Sequence, residues 1–160
     1  MFIGNVEVKG LARLAPMAGI SNAPYRIVAR ECGSALTTSE EIDATGLTRK
    51  NSKTRYDIAK YLPEEKPIAL QILGSNAETL VPGAQWLQDR GADIIDLNMG
   101  CPVPKITKTG RGSAMMRDVQ KTSEILQAMR KVIIVPFTIK IRSGWDQEHL
   151  NAVEVAQMAE

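Results

Sequence analysis

The chain has 160 residues, 44% hydrophobic and 24% charged, proportions of an ordinary globular protein long enough to bury a sizeable core. Its net charge of +2 neither demands nor excludes a nucleic-acid partner, so such a partner must be argued from particular residues. Cys32 and Cys101, far apart, exclude a disulfide framework and a paired-cysteine metal site; no metal is expected, and a reducing cytoplasm is the expected compartment.

Residues 1–10 carry Glu7 and Lys9 and lack the apolar core of a secretory signal. No apolar run approaches the ~20 residues of a membrane span, so no membrane partner is expected. Residues 11–17 read as a first strand, ended by Ala18-Gly19. Residues 22–31 read as a helix, with Ser21 or Asn22 as cap and Gly33 as stop. A Thr-rich strand is predicted over 35–40, then a charge-laced helical region over 43–61, broken at Pro63. A strand over 67–73 turns through Gly74-Ser75-Asn76 into a helix that runs to Arg90 and ends at Gly91. A strand over 93–98 leads into a long Gly- and Pro-containing loop, 99–112. A helix over 119–131, a strand over 136–142 and a helix from Gln147 complete the pattern.

Strands recurring every roughly 25 to 40 residues with helices between them imply a parallel sheet, either wound open or closed into a barrel. The polar positions favour closure. In residues 138–142 the two-residue period puts Thr138, Lys140 and Arg142 on one face and the isoleucines on the other. In residues 94–98, Asp96 and Asn98 share a face opposite Ile95 and Leu97. An open sheet covered on both faces would read as near-continuous Val, Ile and Leu, whereas a polar face at the strand ends suits a barrel mouth. The expected fold is α/β, the N-terminal portion of a TIM (β/α)8 barrel with about five βα units. Because such barrels take ~250 residues, the chain reads as truncated, one partial barrel domain over 1–160.

The richest segment is 96–102, Asp-Leu-Asn-Met-Gly-Cys-Pro. It sets a polar pair at a strand end, then a glycine and a cysteine held by the following proline, on a loop where reacting groups of a barrel belong. Lys105, Lys108 and Arg111 follow, a plausible phosphate-contacting surface. Residues 96–114, DLNMGCPVPKITKTGRGSA, resemble the signature of the tRNA-dihydrouridine synthase family. LAPMAG (14–19), LQILG (70–74) and TIKIRSGWD (138–146) resemble its other blocks, in the same order and spacing, and the bacterial class B branch is the nearest likeness.

The resemblance implies an FMN-binding barrel that reduces tRNA uridines to 5,6-dihydrouridine with NADPH as electron donor. It implies that Pro16, Met17 and Ala18 lie along the flavin, that Gln71 meets its pyrimidine edge, and that Lys140 supplies a cation near the ring. Cys101 matches the proton donor, and Asn98 a residue near flavin and target base; Lys105 and Arg111 are candidate tRNA contacts. It further implies that the later barrel strands and a helical tRNA-gripping domain lie outside this sequence, and that the full-length protein is a monomer. Arg111 departs from the small residue common in the family.

Blander readings stand beside these. Cys32 suits a structural role at a helix end, Arg49, Lys50, Lys53 and Arg55 a solvated helix face, and His149 a solvent-facing position. Trp145 suits the mouth. The alternatives in function are an FMN-barrel oxidoreductase acting on a free pyrimidine, as a dihydroorotate dehydrogenase does, or an inactive fragment.

Overall fold

The computed structural model describes residues 1–160. A two-stranded antiparallel hairpin, β1 (Phe2–Ile3) and β2 (Val6–Glu7), precedes a sheet whose strands are all parallel. These are β3 (Thr37–Thr38), β4 (Ile42–Asp43), β5 (Ile68–Leu73), β6 (Ile94–Asn98) and β7 (Phe137–Lys140). Both β3 and β4 pair with β5, which pairs with β6, which pairs with β7. Each strand therefore lies beside its predecessor and the order never reverses, which is the winding of a barrel wall and not of a doubly wound sheet.

The intervening helices are α1 (Ala23–Glu31), α2 (Ala44–Thr48), α3 (Ala77–Asp89), the one-turn α4 (Pro104–Thr107), α5 (Val119–Arg130) and α6 (Ala152–Ala159). Asn22, Asn76 and Asp118 cap α1, α3 and α5, each side chain accepting a backbone N–H three residues on at 3.0–3.1 Å. The helices cover the outer sheet face. Leu70, Ile72, Ile95 and Leu97, all fully buried, pack there against Leu80, Ala84, Leu87 and Met129. A Cβ on Gly83 would stand 2.8 Å from Ile72 Cδ1, so α3 depends on that glycine for its close approach to β5.

The inner face is built differently. Near the strand starts, Leu36, Ala69 and Ile94 form a small cluster with Ala35 and Val8, flanked by Ile3 and Val6 of the hairpin. The hairpin thus plugs the base of the inner face. Toward the strand ends that face turns polar.

Four expected elements differ. The predicted strand over 11–17 is reduced to a single bridge at Arg13, with Leu14 N–H donating to Leu36 O (3.0 Å) and Ala35 N–H to Ala12 O (2.8 Å). Pro16 has no N–H to extend the ladder, and Leu11 is 99% exposed. The predicted strand over 35–40 is cut back to β3, and β4 begins only beyond its expected end, because Ser39 substitutes its hydroxyl for a backbone acceptor and takes the Gln71 N–H at 2.9 Å. The region over 43–61 is not one helix but α2 and a π-helical turn, Thr54–Ile58, separated at Lys50, whose φ of 57° breaks the first helix. The last helix starts at Ala152 and not at Gln147. Asp146 Oδ1 accepts the N–H groups of Glu148 (3.0 Å) and His149 (2.9 Å), diverting the chain into a loop closed by a Gly144–Leu150 bridge.

Candidate active site at the strand mouth

The parallel register brings Gln71, Asp96 and Thr138 side by side on neighbouring strands, with Asn98 beside Lys140 one step nearer the mouth. Their side chains form a continuous hydrogen-bonded row. Thr138 Oγ1 donates to Asp96 Oδ1 (2.6 Å), and Gln71 Nε2 donates to Asp96 Oδ2 (2.7 Å). Asn98 Nδ2 donates to Gln71 Oε1 (2.9 Å) and to Glu41 Oε2 (3.2 Å). Asn98 Oδ1 accepts from the backbone of Gly100 (3.1 Å) and Cys101 (3.0 Å), so one amide ties the row to the cysteine loop.

Burial sets the electrostatics of the row. Gln71, Asp96 and Asn98 are all buried. Desolvation raises the Asp96 carboxyl above its ordinary range, opposed by the hydrogen bonds from Gln71 and Thr138 and by the charge of Lys140. Burial also raises the Glu41 carboxyl, opposed chiefly by the charge of Arg111, with the like charge of Asp43 adding to the rise. A carboxyl pair so perturbed at a strand mouth is a mark of a functional site.

The cysteine loop is pinned from behind. Ser113 donates to Cys101 O through its N–H (3.0 Å) and its hydroxyl (3.1 Å). That approach needs Gly112, whose φ is 61° and where a Cβ would stand 2.5 Å from Cys101 O. Arg111 donates to Thr109 Oγ1 (2.8 Å) and pairs with Asp43 at 3.3 Å, latching the loop to the end of β4. Lys105 points outward from α4, exposed.

Pro16 and Lys140 line one groove of about 450 Å³ together with Ala15, Ala69, Asp96 and Thr138. Gln71 does not line this groove; it lies buried behind Asp96, to which it is bonded. Met17 and Ala18 follow on a turn held by Ser21 Oγ, which accepts Met17 N–H at 2.9 Å, and by Glu40, which accepts Gly19 N–H at 2.5 Å. The fold thus gathers Gln71, Asn98 and Cys101 in one network and Pro16 and Lys140 at its edge, and leaves Lys105 on the outer surface of the loop. His149 is exposed and bonded to Asp146 at 2.6 Å, and Trp145 stacks on Arg117 at 5.0 Å beside the mouth loops. Cys32 is exposed at the end of α1.

Sequence reasoning placed Asp96 and Thr138 on the inner face without giving them a role, and it missed Glu41 altogether. The two-residue period marked the first two. Glu41 carries no such signal, because it sits in the break between β3 and β4, where the alternation fails.

Comparison with known proteins gives the family. The chain is 38% identical over 160 residues to the tRNA-dihydrouridine synthase B of Shewanella oneidensis, covering all of this chain and 49% of that protein. The tRNA-dihydrouridine synthase B of Klebsiella pneumoniae is also 38% identical, with all of this chain and 50% of that protein covered. That of Pseudomonas aeruginosa is 39% identical over 158 residues, 99% of this chain and 47% of that protein. The chain spans about half the length of the curated relatives it matches. The family model described as dihydrouridine synthase (Dus) matches residues 13–160, from the first bridge to the last helix, and the chain belongs to the dihydrouridine synthase family.

Proposed function

We propose that the protein to which this chain belongs reduces chosen uridines of tRNA to 5,6-dihydrouridine, binding FMN at the strand mouth and drawing electrons from NADPH. The observation that carries the reading is Cys101, held at the mouth by Asn98 and Ser113 beside a buried amide-and-carboxyl row.

The groove on the inner face, running from the base cluster up to Lys140, has room for a flat heterocycle. Its volume of about 450 Å³ falls within the ~300–1,000 Å³ of small-molecule sites. It joins the small surfaces of Ala15, Pro16 and Ala69 to the polar Asp96, Thr138 and Lys140. When bound, reduced FMN would supply the hydride for C6 of the uracil ring. Lys140 would hold positive charge where the ring system accumulates negative charge. Gln71 has one end of its amide fixed by Asp96 and the other by Asn98, leaving one N–H and one lone pair in set directions for a ligand.

Hydride at C6 leaves negative charge delocalised towards C5 and O4. The Cys101 thiol would give its proton to C5, the C5–H bond forming as the S–H bond breaks, with no metal needed. The target base would leave its stack to reach this depth. Lys105, exposed on α4, and Arg111 beside it are the proposed phosphate contacts; Arg111 has first to be shared with Asp43.

Mass spectrometry of tRNA from cells lacking the full-length gene tests the reading. Dihydrouridine should vanish from particular positions, return with the wild-type gene, and stay absent with Cys101→Ala. Unchanged dihydrouridine at every position in the deletion strain would overturn it.

A further inference from the structure

A second groove lies at the opposite end of the strands from Cys101. Tyr61 stands ahead of β5, and its hydroxyl donates to Arg90 O at 2.7 Å, just ahead of β6, so this groove opens at the strand starts. The six residues of β5 put ~20 Å between it and the mouth. Its volume is about 510 Å³; Arg55, Tyr56, Lys60, Tyr61 and Arg90 give it its polar and aromatic lining, and no carboxylate lines it. Arg26, Lys66 and Arg111 are each paired with a carboxylate. Arg55, Lys60 and Arg90 form no ion pair, although Asp57, Glu64 and Asp89 are close to them in sequence.

Aromatic rings hold two of these cations in place. Arg55 and Arg90 both stack on Trp86, their guanidinium carbons 5.1 and 4.8 Å from the ring centre, and Arg90 also lies 5.8 Å from the Tyr56 ring. Arg55 Nε and Nη2 donate to Leu47 O at 3.1 and 2.8 Å, which leaves Nη1 unengaged. Arg55, expected on a solvated helix face, is thus half-buried in an ordered array. A guanidinium fixed in this way loses little further freedom on meeting a phosphate, and its planar N–H groups match the phosphate oxygens. Tyr56, 60% exposed, presents its ring to solvent.

We propose that this groove is a second RNA-binding surface, taking an unpaired strand with phosphates on Arg55, Lys60 and Arg90 and a base stacked on Tyr56. Unpaired cations interleaved with open rings suit that ligand, whereas an acidic peptide would use the charges and leave the rings without a partner. The surface is separate from the mouth, and the inference does not rest on the reaction proposed there.

The test is fluorescence anisotropy with the purified full-length protein and a labelled, unstructured oligoribonucleotide of about twelve nucleotides. Lys60→Gln and Arg90→Gln together should weaken binding about tenfold and lower the slope of log Kd against log salt by about 1.4, the value for two phosphate contacts to a single strand. Tyr56→Ala should weaken binding about fivefold to a hundredfold and leave that slope unchanged. Wild-type affinity and slope in both variants overturn the proposal. Because the mouth has its own proposed phosphate contacts, the place of binding is read on the unmutated protein. The same oligonucleotide carrying 4-thiouridine, irradiated and mapped by mass spectrometry, should cross-link to residues 54–63. Cross-links confined to the cysteine loop overturn the proposal, and so does displacement of the RNA by polyglutamate at equal charge. Neither readout needs flavin or uridine reduction, so failure here is distinct from failure of the proposed function.

Discussion

The two faces of the same parallel strands obey opposite rules. On the outer face, Leu70, Ile72, Ile95 and Leu97 meet helices and bury only apolar atoms. On the inner face, Gln71, Asp96, Asn98 and Thr138 bury polar atoms and satisfy them with one another at 2.6–2.9 Å. Alternation along a strand assigns both roles to adjacent residues, so stability and chemistry are separated by one position in the chain. Fold energy should therefore sit on one side and activity on the other.

Four substitutions would break or sharpen that separation. The largest effect is expected on the inner side: Cys101→Ala should slow uridine reduction by about 10²- to 10⁴-fold, the usual contribution of a general acid. Its denaturant midpoint should stay near wild type, and a large loss of stability would show that the cysteine is structural. Leu97→Ala, one position from Asp96 and Asn98, should cost about 2–5 kcal/mol in urea unfolding through the cavity left under the helices. A cost below 1 kcal/mol would show that the outer face is not the main support.

Asp96→Asn should alter the pH dependence of stability more than its size. The folded carboxyl titrates above its unfolded range, so its stabilising contribution is full at acid pH and is lost as pH rises through the raised folded value. Unfolding followed upward from about pH 4, near the unfolded Asp value, should show a decline in wild type that flattens in the variant. Parallel curves would remove Asp96 from the pH response. The smallest effect belongs to the loop latch. Arg111 and Asp43 keep side-chain exposures of 21% and 47%, so Arg111→Ala should cost at most about 1 kcal/mol in thermal unfolding and less in high salt. A larger, salt-independent loss would make the latch part of the core.

Local pattern carried most of the wall. The strands β5, β6 and β7 lie within their expected ranges because each alternates or runs apolar between clear turn residues, and α1, α3 and α5 start at capping side chains that sequence displays. The first strand misled because its apolar residues signal strand, while pairing depends on a neighbour and on Pro16 ending the ladder. The second misled because Ser39 interrupts it with a side-chain hydrogen bond that no period encodes.

At the site, sequence alone determined the residue types and their faces: a cysteine on a tight loop, and polar groups on one side of strands 94–98 and 137–140. Resemblance gave Cys101, Asn98, Gln71 and Lys140 their expected tasks. Tertiary structure decided which of them touch. Gln71 and Asp96 lie 25 residues apart and are joined by the parallel register, while Asn98 and Glu41, 57 apart, meet through the break between β3 and β4. The raised carboxyls of Asp96 and Glu41 depend on that joining, because burial and close partners shift a carboxyl through desolvation and distance, and neither is written in the order of residues.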